Sequence, residues 1–128
     1  MPMLRSILAV GIGGAVGSIA RYGLSIFVNR IFTGSYPVST FLINITGSFI
    51  IGILFGLGLR NSAEHWTQDL GWSLLAVGFC GGFTTFSTFA LENMILLQKG
   101  QLLVSLLYTA CSVFAGLVLC MLGIWLMK

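Results

Sequence analysis

The sequence predicts an all-α integral membrane protein with four transmembrane helices. Three observations carry that prediction. Of 128 residues, 57% are hydrophobic and 7% are charged, whereas soluble domains carry about 25% charge. A chain so poor in charge cannot cover a globule with polar surface, and its mean hydropathy of +1.03 agrees. Second, the charges lie far apart: 31–59, 70–91 and 100–127 contain none, and 6–29 contains only Arg21. Each stretch meets the roughly 20 residues that a helix needs to cross hydrocarbon. Third, the apolar runs are continuous, without the period-2 alternation of barrel strands. Lipid offers the backbone no partners, so such runs must be helical.

The spans fall near 4–28, 38–59, 70–97 and 101–127, in a single membrane domain over 1–128. "NRIFTGSYP" (29–37) and "RNSAEHWTQD" (60–69) are polar, turn-rich connections, and "QKGQ" (98–101) is a tight helix–helix turn. No connection is long enough for a second domain. Arg5, the apolar run behind it and "SIA" (18–20) would also suit a cleaved leader. "RYGLSIFV" continues the helical pattern, so we read the first span instead. Cys80, Cys111 and Cys120 all fall inside spans and form no CxxC pair, which favours small packing residues over a disulfide framework.

Four spans put both termini and the 60–69 loop on one side, with Arg5, Arg60 and Lys128. The other side carries Arg30 and Lys99, and Arg21 if it lies near that interface. The positive-inside bias is therefore nearly absent. Two readings fit: one fixed orientation, or a chain that inserts both ways and pairs head-to-foot.

Inside the spans, Gly13–Gly17, Gly52–Gly56 and Gly78–Gly82 have the small-xxx-small spacing of close helix contacts. "GIGGAVG" (11–17) is not a dinucleotide fingerprint, because its offsets differ and no strand precedes it. Arg21 interrupts the first span. An arginine at a helix centre costs about 2.5–3.5 kcal/mol, so it snorkels or faces a wet cavity. Asn44 in "FLINITG" is either an interhelical hydrogen-bonding amide or a donor on a polar pathway. Thr40 lies one turn earlier on the same face. Tyr108 and Ser112 are likewise i, i+4, and Ser105 adds to their side.

"GGFTTFSTF" (81–89) is the most unusual stretch. Gly81 and Gly82 each weaken a helix by about 1 kcal/mol relative to alanine. Thr84, Thr85, Ser87 and Thr88 compete for its backbone hydrogen bonds. A break at the glycines is expected, and freed carbonyls there can hold a small cation. Phe86 and Phe89 share a face if helix resumes behind the break. A phenyl edge carries positive partial charge and can face an anion, although rings at this spacing are also ordinary packing. Glu92 is the one acid within a span, and it suits a proton carrier, a helix-end group or an interface residue.

Other chemistries find no support. His65 is the lone histidine, beside Trp66 in a loop. Glu64, His65 and Asp69 make too small a group for a metal site. There is no P-loop, and a net charge of +3 is too sparse for nucleic acid.

With "GGAVGSIARY" (13–22), "NITGSFIIG" (44–52) and above all "CGGFTTFSTFALE" (80–92), the chain resembles the Fluc fluoride channels, also called CrcB, over its whole length. The last span matches through Tyr108 and Ser112. The resemblance implies a passive, fluoride-selective channel, not an enzyme, in a bacterial inner membrane. It implies an antiparallel homodimer with two pores and a third helix broken near its middle. The carbonyls of Gly81 and Thr84 from both subunits would hold a central Na⁺. Phe86 and Phe89 would turn ring edges to fluoride, Asn44 would donate to it, and Tyr108, Ser112 and Thr40 would line its path. Arg21 matches a vestibule arginine. The alternative is a small multidrug exporter, which is also a four-span, dual-topology protein. Such exporters couple protons through a glutamate in the first span, and this first span has no acid.

Overall fold

A computed structural model of the chain describes residues 2–61 and 66–128. The described residues form helices and no strand. α1 is Pro2–Ile31 and α2 is Val38–Arg60. A short 3₁₀ turn, Trp66–Gln68, leads into α3 (70–83), whose central part, Ser73–Cys80, has wide π-type turns. α4 is Phe86–Gln98 and α5 is Leu102–Met127. Four stretches are long and apolar enough to cross a membrane: Pro2–Ile31, Val38–Arg60, Leu70–Gln98 and Leu102–Met127. They are the four spans expected, with α1 running further at both ends. Glu64 and His65 lie outside the described residues.

Two glycine contacts build the frame. α1 lies against α3 so closely that a Cβ on Gly13 would run into the Leu74 carbonyl oxygen, and one on Gly17 into that of Phe79. The contact is reciprocal, since a Cβ on Gly82 would meet the Gly14 carbonyl. α2 and α5 repeat the device, with Gly52 against the Cys120 carbonyl and Gly123 against that of Phe49. Helices in lipid gain nothing from hiding apolar surface from each other, so close backbone approach supplies dispersion contact instead. The outward faces keep their apolar side chains exposed, including Leu103, Phe114, Leu117 and Trp125 on α5. Cys80 is buried as a packing residue should be, while Cys111 is exposed, and both are free thiols, as is Cys120.

The glycines do not interrupt the third span. Gly81 has helical dihedrals (φ −63°, ψ −38°), and Gly82 serves the contact with Gly14. The chain leaves helical geometry at Thr84 (φ −81°, ψ 160°) and Thr85 (φ −148°, ψ 115°), then re-enters it at Phe86. The threonines supply the reason. Thr84 ends α3 by donating both its N–H and its hydroxyl to the Cys80 carbonyl, at 3.0 and 2.8 Å. Thr85 caps α4, its Oγ1 accepting the Thr88 N–H at 3.3 Å. At the far end of α4, Gly100 adopts φ +73°. Its N–H donates to the Leu97 carbonyl at 3.0 Å and that of Gln101 to Leu96 at 2.9 Å. This Schellman stop needs a residue free to take a left-handed conformation, and it turns the chain into α5.

Candidate functional site

A groove of about 560 Å³ opens beside the interruption, walled by α2, α3, α4 and α5. Its lining includes Asn44, Gly81, Thr84, Phe86, Phe89 and Ser112, six of the residues singled out by sequence. Among the described residues, no charged side chain lines it.

Asn44 holds the interruption in place. Its Nδ2 donates to the Thr85 carbonyl at 3.0 Å, and its Oδ1 accepts the Thr85 N–H at 2.8 Å. The amide oxygen thus replaces the helical partner that the Thr85 N–H has lost, and the amide nitrogen adds a donor to the capping carbonyl. This is the interhelical role that the sequence allowed, and it uses one of the two amide donors. Ser112 contributes a hydroxyl whose oxygen is buried and has no hydrogen-bond partner among the described residues. A buried polar atom without a partner is rare enough to require a reason.

From the groove a row of rings runs into the bundle. Phe86 is 79% exposed, and its ring centre lies 5.8 Å from that of Phe89 at an interplanar angle of 40°. Phe89 is tilted by 55° against Tyr108, with centres 5.1 Å apart. The Tyr108 hydroxyl then donates to Glu92 Oε2 at 2.8 Å, and Thr40 Oγ1 donates to Oε1 at 2.7 Å. A carboxylate in a span is costly unless its oxygens are satisfied, and charge-assisted bonds of this kind are the stronger ones. A second cavity of about 240 Å³ reaches Glu92 from the other side, with Asn29, Ser35, Ser39 and Lys99 in its walls.

The sequence paired Thr40 with Asn44 and Tyr108 with Ser112, each pair on one helix face. The structure divides them. Asn44 and Ser112 belong to the groove, and Thr40 and Tyr108 meet at Glu92, with Phe89 as the link. Arg21 stands apart. Its Nε donates to the Gly82 carbonyl at 3.1 Å, where Ser18 Oγ also reaches at 3.5 Å. The guanidinium therefore sits at the carbonyl end of α3, where a cation complements the helix dipole.

One residue escaped the sequence reading, and another was read without its partners. Glu92 was visible as a lone acid, but its partners lie on two other helices. Asn93 was not singled out. Its Nδ2 donates to the Phe89 carbonyl at 3.0 Å, while its Oδ1 accepts from Ser105 Oγ at 2.7 Å and Thr109 Oγ1 at 3.2 Å. Its spacing of four from Phe89, inside a span, was the available signal.

Comparison with known proteins gives a consistent answer. The sequence model of the family described as "CrcB-like protein, Camphor Resistance (CrcB)" matches residues 8–124. The fluoride-specific ion channel FluC of Gloeothece citriformis (strain PCC 7424) is 45% identical over 125 residues, 98% of each chain. The FluC of Azobacteroides pseudotrichonymphae genomovar. CFP2 is 42% identical over 121 residues, 94% of each. That of Ignicoccus hospitalis (strain KIN4/I / DSM 18386 / JCM 14125) is 40% identical over 120 residues, 94% of this chain and 93% of its own. Matched nearly end to end by these relatives and by the family model, the chain belongs to the CrcB family.

Proposed function

We propose that the chain is a passive, fluoride-selective ion channel. It lets cytosolic fluoride leave down its electrochemical gradient and so relieves fluoride toxicity. The relatives are named as fluoride-specific ion channels. The observation that carries it here is the chemistry of the groove, which offers an amide, hydroxyls and ring edges but no charge. Fluoride is small and tightly hydrated, so a pore must replace its water with donors. Conduction also requires binding weak enough to release. A cationic lining would trap the ion; neutral donors and phenyl edges need not. HF crosses membranes uncharged and ionises in the cytosol. A negative interior then drives the anion out, with about 2.3 kcal/mol per charge for each 100 mV. In this reading Asn44, Phe86, Phe89, Tyr108, Ser112 and Thr40 line the path, and Arg21 stands on the vestibule side.

The working unit in this reading is an antiparallel homodimer with two pores in a bacterial inner membrane, its third helix broken at Thr84–Thr85. Three features support pairing with a second copy. Basic residues divide nearly evenly between the two sides. Phe86 is left largely uncovered by its own chain. Beside Gly81, an added Cβ would meet no atom within 4 Å.

The family resemblance also implies a structural Na⁺ on the dimer axis. The residues fit it. In a continuing helix the Thr85 N–H would serve the Gly81 carbonyl, but it donates to Asn44. Likewise the Thr88 N–H, due to Thr84, donates to Thr85 Oγ1. Carbonyls released at an unwound span are suitable ligands for an alkali cation. Gly81 and Thr84 of each copy would hold the ion, which would supply a fixed positive charge where two chains meet.

Reconstitution into liposomes tests the reading. Fluoride efflux should require a potassium shunt, proceed without a proton gradient, and fall when Na⁺ is removed from both faces. Absence of fluoride flux, or proton-coupled uptake of organic cations, would overturn the channel assignment. Flux indifferent to Na⁺ would remove the cation alone.

A further inference from the structure

α4 carries Phe89 and Glu92, yet apolar packing does little to fix it. Leu96 is its one buried residue. Its inward stripe is Phe89, Glu92, Asn93 and Leu96, at the i, i+3, i+4, i+7 spacing of one helix face. Facing it on α5 stand Ser105, Tyr108, Thr109 and Ser112 at the same spacing. Phe89 belongs to the path, and Glu92 accepts the hydroxyls of Thr40 and Tyr108, which line it. Leu96 lies at the far end. The remaining member, Asn93, has no place in the path described above.

Its bonds suggest what it does. Asn93 Oδ1 accepts hydroxyls from Ser105 at 2.7 Å and Thr109 at 3.2 Å, one helical turn apart on α5. Two donors converging on one oxygen from successive turns oppose both sliding and rolling of α4 along α5. Asn93 Nδ2 returns to the Phe89 carbonyl at 3.0 Å, so the clamp is tied to the backbone that carries the ring. Tyr108, whose ring lies 5.1 Å from Phe89, falls between the two clamping hydroxyls in sequence. The Asn93 clamp and the Phe89–Tyr108 ring contact therefore share the same two turns of each helix.

We propose that Asn93 is a positioning residue for the anion path: by clamping α4 to α5 it holds Phe89 against Tyr108, and through that contact it sets discrimination for fluoride. The inference rests on the channel reading. Asn93 touches no ion, and its effect passes through the ring.

The test compares fluoride and chloride flux in liposomes for the wild type, Asn93→Leu, the double variant Ser105→Ala/Thr109→Val, and the triple variant. Losing two interhelical hydrogen bonds corresponds to about tenfold in an equilibrium. Asn93→Leu should therefore lower the fluoride-to-chloride flux ratio by about tenfold in protein that still assembles. The double variant should do the same while leaving Asn93 in place. The triple variant should be no worse than either, because all three changes remove one clamp. A merely structural role would lower the yield of assembled protein and leave the ratio alone. An unchanged ratio in assembled Asn93→Leu, or effects that add, would overturn the proposal. If Asn93→Leu does not assemble, the ratio in the double variant decides by the same criterion. Absence of fluoride flux in the wild type would instead sink the channel reading, so the two failures are distinguishable.

Discussion

The frame and α4 occupy the same membrane but are held by different means. α1 meets α3, and α2 meets α5, through glycines whose missing Cβ lets backbone touch backbone. α4 buries a single apolar residue and depends on side-chain hydrogen bonds to Thr40, Tyr108, Ser105 and Thr109. Glycine contacts leave no polar atom to satisfy, so they suit a rigid scaffold. Each interhelical hydrogen bond in a membrane is worth about 0.6 kcal/mol on average, because the alternative partners are good too. A helix held by several such bonds is positioned more than it is bound. In the proposed channel reading that suits an element which presents rings and polar groups to an ion, since the chemistry that locates it is also the chemistry it displays.

Breaking the frame should have the largest effect. Gly17→Leu forces a side chain into the Phe79 carbonyl and to 3.0 Å from the Phe83 nitrogen. These are backbone atoms that cannot swing aside. We expect loss of assembled protein on size-exclusion chromatography in detergent, and no flux. A Gly17→Leu protein that assembles and conducts would show that the α1–α3 contact is not rigid. Next comes a change confined to the groove. Phe86→Ile keeps bulk and apolarity but removes the aromatic edge. Fluoride flux should disappear while assembly stays normal, and unchanged flux would refute the ring-edge role.

This contrast also explains what the sequence could show. The frame was legible, since continuous apolar runs define four spans and Gly13, Gly17, Gly52 and Gly82 stand at spacings with a known use. The groove was legible in part, because Asn44 and Ser112 are polar residues inside apolar spans. The place of the interruption was not. Gly81 and Gly82 have the lower helix propensity, but tertiary packing gives Gly82 another task, and the hydrogen bonds of Thr84 and Thr85 decide where helix ends. Nor could spacing show that Thr40 and Tyr108, on different spans, meet at Glu92. Each side chain's neighbours along its own helix are fixed by the 3.6 period, whereas its partner across the bundle is fixed by tertiary packing alone.

Asn44→Asp should act on the groove more narrowly. The Oδ1 bond to the Thr85 N–H can survive, but the second oxygen now faces the Thr85 carbonyl that Nδ2 reached at 3.0 Å. Two acceptors then face each other where a hydrogen bond stood, and the carboxylate also sets a fixed anion beside the groove. We expect conduction to be blocked in a protein that still assembles, measured as fluoride efflux per unit of reconstituted protein. Normal flux would mean that Asn44 is a packing amide only.

The smallest effect is expected where the frame has an open face. Gly11 lies on α1 like Gly13 and Gly17, yet an added Cβ there would meet nothing within 4 Å. Gly11→Ala should leave flux unchanged. The alanine should raise thermal stability slightly, since glycine inside a helix is less favourable than alanine by about 0.5–1 kcal/mol. The comparison with Gly17→Leu then isolates close contact from helix propensity, because both changes add a side chain to the same helix. A loss of flux in Gly11→Ala would carry a different lesson. Nothing in its own chain opposes the methyl group, so the obstruction would have to come from a second copy lying against that face of α1, and the frame would extend across the dimer.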